Sequence, residues 1–140
     1  MIVLDTNVVS EAMKPAHRRD PHFDAWLHKN AASETAVSAI TIAEIGYGIS
    51  RLPNGQRRDD LRRRADALFQ HLEQLTLVFD TRAAHHYADI MSSREMAGRP
   101  IAVLDCMIAA IARSRGASIA TRNVKDFEAV PGLNVINPWG

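Results

Sequence analysis

The chain has 140 residues and a mass of 15.5 kDa, a length that suits one domain with a single sizeable core. Its 46% hydrophobic and 24% charged residues exclude a disordered chain, and its formal net charge of +1 excludes a strongly basic, histone-like coat. A single cysteine, Cys106, excludes an intramolecular disulfide, and the lack of a long apolar run or signal-peptide pattern predicts a cytoplasmic protein with no membrane partner.

Short apolar segments alternate with helical patterns along the chain. Strands are predicted at Ile2–Leu4, Thr35–Ser38, Leu75–Phe79, Ser118–Ala120 and Leu133–Ile136. Apolar residues recur at helical spacing over 42–52, 61–72, 84–91 and 104–112. Further signals are a cap at Asp80-Thr81, a turn at 53–55, and helix ends at Gly98 and Gly116. This alternation predicts a single α/β domain over residues 1–140, with a parallel sheet covered on both faces.

Acidic residues follow the predicted strands. Asp5 comes directly after the first strand, Glu44 lies one helical turn past the second, and Asp105 opens a helix. Asn123 and Asp126 follow the fourth strand. Because ligands in open parallel sheets bind beyond the carboxyl ends of the strands, we expect Asp5, Glu44 and Asp105 to converge at one edge.

Converging carboxylates repel one another, and this repulsion predicts a cation. Two unit charges ~5 Å apart at an effective dielectric constant near 20 cost roughly 3 kcal/mol. Either one carboxyl group keeps its proton or a divalent cation neutralises the set. Oxygen ligands without Cys or His select Mg²⁺ or Mn²⁺, which can activate a water against a phosphodiester. Metal-assisted phosphodiester hydrolysis is therefore the predicted chemistry.

Each of these residues also has a simpler interpretation. Thr41 and Glu44 have the spacing of a capping box, and Asp105 can be an ordinary acid in the first turn of a helix. Asn123 and Asp126 can belong to an ordinary loop. Two other functions stay open: a phosphatase with Asp5 as nucleophile, which Asn7 disfavours because an acid is usual there, and a non-catalytic RNA-binding or interaction module on the same fold.

Four ordered motifs and the C-terminal tail resemble those of PIN-domain proteins, and more narrowly the VapC and FitB group of toxin-antitoxin ribonucleases. The motifs are an apolar strand followed by Asp5-Thr6-Asn7, S-x-x-T-x-x-E-x-x-x-G over 38–48, D-x-x-I-A-A-x-A over 105–112 and T-R-N-x-x-x-F over 121–127, with the tail Asn137-Pro138-Trp139. The similarity extends over essentially the whole chain. It implies a three-layer α/β/α sandwich around a parallel sheet of four to five strands.

The resemblance also implies a function and a set of site residues. The function is that of an endoribonuclease dependent on Mg²⁺ or Mn²⁺, with Asp5, Glu44 and Asp105 at its acidic positions. Asn123 stands at the fourth position, where the family has an acid, and Asp126 is the alternative. The supporting residues are Thr6, Asn7, Thr121 and Asp126: Thr121 is expected to orient a water, and Asn7 either caps the first helix or bonds a site carboxylate.

The family further implies two protein partners. One is an antitoxin resembling VapB or FitA, a DNA-binding protein whose C-terminal segment blocks the acidic pocket. The other is a second copy of the chain, in a homodimer.

Arginine dominates the basic residues, with 14 of the 17. Six arginines lie between 51 and 64, opposed there only by Asp59 and Asp60. Because arginine suits phosphate, possible RNA contacts are Arg57, Arg58, Arg62 and Arg63; the alternative is a solvated helix face. Gly46 and Gly48 indicate either close helix packing or room for a ligand beside Glu44.

Overall fold

A computed structural model describes residues 1–140, and its five strands form one parallel sheet. The strands are β1 (Ile2–Leu4), β2 (Thr35–Ser38), β3 (Thr76–Leu77), β4 (Ser118–Ala120) and β5 (Val135–Ile136). The predicted bounds of β1, β2 and β4 are confirmed, whereas β3 and β5 are shorter than predicted. Edge strand β3 pairs only with Val37 and Ser38 of β2, and β2 ends where Ser38 caps the next helix, so β3 has no partner beyond Leu77.

Seven α-helices surround the sheet. They are α1 (Thr6–Ala12), α2 (Pro21–Lys29), α3 (Ala39–Ser50), α4 (Gln56–His71), α5 (Thr81–Met96), α6 (Val103–Ser114) and α7 (Val124–Phe127), with 3₁₀ turns at Ala16–Arg18 and Glu73–Leu75. The four helical patterns in the sequence correspond to α3, α4, α5 and α6. Helices α2 and α7 were not predicted, and the 3₁₀ turn takes Leu75 out of the third strand. None of the helices combines the length and apolar character needed to cross a bilayer.

The strand order is β3-β2-β1-β4-β5. The chain moves outward from β1 to β3 on one side and then returns to place β4 on the other side of β1. The order therefore reverses between β1 and β4, which is where ligands bind in open α/β sheets. Because Leu4 is paired with Ala120, the next residues, Asp5 and Thr121, leave the two strands side by side.

Successive side chains of each strand point to opposite faces of the sheet, so the sheet separates two hydrophobic cores. Val3, Ala36 and Ile119 face the core that contains α5 and α6, whereas their neighbours Leu4, Val37 and Ala120 face the core that contains α1 to α4. The sheet is thus covered on both faces, and the predicted three-layer α/β/α sandwich is confirmed.

Local sequence signals determine where several helices begin and end. The Asp80 carboxylate accepts a hydrogen bond from Ala83 N–H (2.9 Å) and caps α5 as predicted. Gly98 and Gly116 follow α5 and α6 with φ of 69° and 64°, a conformation that favours glycine. In α3, Gly46 and Gly48 face open space, because no atom lies within 4 Å of where a Cβ would be. Close packing is therefore not the reason for these two glycines.

Candidate active site

Asp5 lies at the switch point of the sheet and is 3% exposed. It caps α1, and its Oδ1 accepts a hydrogen bond from Thr6 N–H (2.8 Å). Its Oδ2 accepts from the Thr121 hydroxyl (2.8 Å) and from Asn7 Nδ2 (3.2 Å). Burial raises the pKa of Asp5, these hydrogen bonds oppose the rise, and the charge of Glu44 adds to it. The result is a buried carboxyl group held by three donors in one orientation.

Thr121 and Asn7 act on Asp5 from the two sides of the switch point. The fully buried Thr121 hydroxyl donates to Asp5 and accepts from Asn123 N–H (3.0 Å), so it supports Asp5; that it also orients a water stays a prediction. Asn7 lies within α1, its Nδ2 donates to Asp5, and its Oδ1 accepts from Arg122 N–H (3.1 Å). Of the two alternatives for Asn7, the bond to a site carboxylate is confirmed and the cap is wrong.

Glu44 is held over the same cavity by a chain of hydroxyl groups. Ser38, not Thr41, caps α3, and its Oγ accepts from Thr41 N–H (3.1 Å), so the capping-box interpretation of Glu44 was wrong. The Thr41 and Thr6 hydroxyls lie 3.2 Å apart, and the Thr6 hydroxyl donates to Glu44 Oε1 (2.7 Å). Thr6 therefore links the helix after β1 to the helix after β2.

Asp105 stands in the first turn of α6, and its carboxylate faces the other acids. Burial raises its pKa from 3.8 to about 6, with further contributions from the charges of Asp5, Asp126 and Glu44; no hydrogen bond opposes them. Both sequence interpretations of Asp105 thus hold, since it is a first-turn acid and also lines the cavity. For Asp105, therefore, the protein supplies no hydrogen bond that offsets the repulsion from the neighbouring carboxylates.

One cavity of about 450 Å³ brings most of the predicted residues together. Its lining includes Asp5, Thr6, Asn7, Glu44, Asp105 and Asn123. Thr121 lies buried beneath it, and Asp126 lines a neighbouring cavity together with Asn123. At the fourth acidic position, therefore, the side chain beside the acids is Asn123, whereas Asp126 acts on Asp105 through its charge.

Five further residues of this cavity were not predicted: Ser10, Glu11, Lys14, Arg122 and Trp139. Glu11 is 7% exposed and accepts from Lys14 Nζ (2.8 Å) and from Asp20 N–H (2.9 Å). Burial would raise the pKa of Glu11, but these hydrogen bonds outweigh it and lower the pKa. The available signal was the polar spacing of Asn7 and Glu11 in α1 and Lys14 just past its end, since residues 7, 11 and 14 lie on one side of a helical path.

The donor chemistry fits a hard cation that keeps part of its water shell. Asp5, Glu44, Asp105 and Asn123 offer only carboxylate and amide groups, with no Cys or His in the lining. No group of three or more His, Cys, Asp or Glu side chains lies close enough together to share one ion. Mg²⁺ usually keeps several waters and binds through one or two carboxylates, so a pair such as Asp5 and Asp105 suffices.

The predicted arginines of helix α4 fall into two sets. Arg57 lines a groove of about 370 Å³ together with Thr6 and Glu44. The other predicted arginines face neighbours outside it: Arg58 donates to Asn54, Arg62 to Ser50 Oγ (3.1 Å), and Arg63 to Asp60. Only Arg57 of the four shares a groove with the acidic residues.

Known proteins resemble the chain over its full length. The PIN domain family model matches residues 2–133. The VapC ribonuclease Y4jK of Sinorhizobium fredii is 39% identical over 99% of this chain and 98% of its own. The toxin FitB of Neisseria gonorrhoeae is 36% identical over 99% of both chains. The crystal structure of FitAcB from the same organism superposes with a TM-score of 0.90, 36% identity and 99% coverage of both chains.

Proposed function

Since the chain belongs to the PIN domain family, we propose that it is an endoribonuclease that requires Mg²⁺ or Mn²⁺ and acts as the toxin of a toxin-antitoxin pair. The observation that carries this proposal is the single cavity lined by Asp5, Glu44 and Asp105 at the switch point of the sheet. The names of the VapC and FitB relatives support the ribonuclease and toxin parts of it.

Asp5 and Asp105 would hold the cation, directly or through water, and Glu44 would share this task or orient the attacking water. When bound, the ion supplies electrostatic stabilisation of the phosphodiester and activation of a water. Asp105 supports this assignment because its carboxylate has like charges around it and no protein donor to satisfy it. Asn123 would contribute its amide oxygen, which can accept a hydrogen bond or contact a metal but cannot act as a base.

The supporting residues would fix the geometry. Thr121 and Asn7 orient the Asp5 carboxylate, and Thr6 orients Glu44. Each of these donors is anchored on a strand end or on the first turns of α1, so the Asp5 and Glu44 carboxylates are ordered before any substrate arrives. Such preorganisation lowers the cost of positioning groups in the transition state.

RNA cleavage in the presence and absence of metal tests this function. The purified protein should cleave RNA with Mg²⁺ or Mn²⁺, and EDTA or Asp5→Asn should abolish cleavage. Asp66→Asn, at an exposed acid of α4, is the control and should cleave at the unmutated rate. Cleavage by Asp5→Asn at the unmutated rate would contradict the site assignment. Tight RNA binding without any cleavage would favour the non-catalytic RNA-binding module instead.

The proposed partner is an antitoxin whose C-terminal segment covers the acidic cavity. A cationic side chain of that segment, such as arginine, could replace the metal among Asp5, Glu44 and Asp105. Co-expression with the product of the adjacent gene tests this, and we expect that product to co-purify and to suppress cleavage. A homodimer is the proposed assembly, which light scattering measures directly.

A further inference from the structure

A second, basic cavity adjoins the acidic one. Its volume is about 660 Å³, and it shares Ser10 of α1 and Lys14, just past the end of α1, with the acidic cavity. Four cationic side chains line it: Lys14, Arg18, Arg57 and Arg64. Asp60 is the only acid among the lining residues. The charge of the surface therefore changes sign along α1.

Three of the four cationic side chains in this basic cavity have no acidic partner, whereas Lys14 is paired with Glu11 (2.8 Å). Arg18 and Arg57 take part in no salt bridge, and Arg64 donates only to the Met13 carbonyl (3.2 Å). The one acid, Asp60, is bound by Arg63. Unpaired guanidinium groups that share a cavity favour an anionic ligand, because their planar fork matches the geometry of phosphate.

A groove connects the basic cavity to Glu44 of the acidic cavity. Arg57 lines both the basic cavity and the groove that contains Thr6 and Glu44. A chain molecule with a phosphate at the acidic cavity can therefore extend along α1 and place its next phosphates near Arg57. No aromatic side chain lines the basic cavity, so it offers no surface on which a base could stack.

We propose that the basic cavity of Lys14, Arg18, Arg57 and Arg64 binds backbone phosphates of single-stranded RNA on one side of the bond cleaved in the acidic cavity. This inference rests on the proposed function and adds the path of the strand. Since the contacts are made to phosphates rather than bases, they contribute affinity that is uniform across sequences and falls with salt.

The test measures RNA binding against salt in full-length protein carrying Asp5→Asn, which keeps the RNA intact. The probe is a fluorescently labelled single-stranded RNA oligonucleotide, and the variants are Arg57→Gln and Arg64→Gln. Loss of one phosphate contact should make the slope of log affinity against log salt shallower by about 0.7 and weaken binding about fivefold near 0.1 M salt. With Asp5 intact, each variant should raise KM and leave kcat unchanged.

Two control variants sharpen the result. Arg115→Gln removes an exposed, unpaired arginine at the amino-terminal edge of the sheet and should change neither slope nor affinity. Arg58→Gln removes a charge from α4 outside the cavity. An effect of Arg58→Gln as large as that of Arg57→Gln would overturn the proposal, because the total charge of the helix would then be responsible.

Failure of this inference is distinguishable from failure of the proposed function. If the wild-type protein cleaves RNA while both cavity variants keep its KM and salt slope, the basic cavity is not the phosphate site. If the protein binds RNA through Arg57 and Arg64 but never cleaves it, the inference holds and the enzymatic function fails. If no RNA is bound at all, both are wrong.

Discussion

Asp105→Asn is expected to stabilise the protein at neutral pH when no divalent cation is present. Burial and the charges of Asp5, Asp126 and Glu44 raise the pKa of Asp105 from 3.8 to about 6. In the unfolded chain the same group ionises near its ordinary value. Above pH 6 the folded protein therefore carries a carboxylate whose charge its surroundings disfavour, and an asparagine amide removes that charge at nearly constant volume.

The size of the effect follows from the pKa difference. The rise from 3.8 to about 6 corresponds to an upper bound of about 3 kcal/mol, and solvent screening at the open cavity reduces the expected gain to about 1–2 kcal/mol. The folded protein binds this proton more tightly than the unfolded chain does. As pH rises from about 3.8 through about 6, the wild type therefore becomes less stable than the variant. Below about pH 4 the two proteins should have the same stability.

Urea unfolding at several pH values between about 4 and 7.5, in EDTA, measures this difference. Asp66→Asn is the matched control, an exposed acid of α4 without an ion pair, and should match the wild type throughout. A variant no more stable than the wild type at pH 7.5, or equally stabilised at pH 4, would refute the reasoning. Saturating Mg²⁺ should stabilise the wild type by about 2.7 kcal/mol at 100 times its Kd, and the variant by less.

Three other substitutions test individual contacts. Thr121→Val should lower the free energy of unfolding by about 2 kcal/mol and slow RNA cleavage at least tenfold, because Asp5 loses a hydrogen-bond donor. Thr121→Ser keeps the hydroxyl group and should restore both stability and cleavage. If it restores neither, the hydroxyl group is not responsible. Arg94→Met should lower the free energy of unfolding in urea by about 2–4 kcal/mol, because the buried guanidinium group donates to the carbonyls of Arg99 (2.6 Å) and Asp126 (2.7 Å). An unchanged midpoint of the urea transition would contradict this. Gly46→Ala should stabilise α3 by about 1 kcal/mol, and a lower melting temperature would show that the space beside it is not open.

The gathering of Asp5, Glu44 and Asp105 in one cavity was predictable because each position depends on a strong local signal. An acid that ends a buried β-branched strand, and helices with clear apolar periodicity, place those residues at a known edge of a parallel sheet. The support given to Asp5 by Thr121 was not predictable, since it depends on the register that pairs Leu4 with Ala120.

Other features were missed although the sequence contained their signals. Helix α2 begins with Asp20 as cap, whose carboxylate accepts from His22 N–H (2.8 Å), and with Pro21 in its first turn. The apolar residues of α2 cover only one helical turn, which is too short for periodicity alone to identify the helix. The length of β3 could not be found locally at all, because it is set by where β2 ends at Ser38.

Although the net charge is only +1, an acidic and a basic cavity lie side by side on the surface, and α1 lies between them. Asp5 caps the helix in the acidic cavity, and Lys14 lies just past its last turn in both cavities. At 1.5 Å per residue the seven residues of α1 span about 10 Å, so one short helix separates carboxylates from guanidinium groups. The pairing of Lys14 with Glu11 neutralises the boundary between them. No count of charges predicts this arrangement, because it depends on the phase of α1, which directs Asn7, Glu11 and Lys14 to one face.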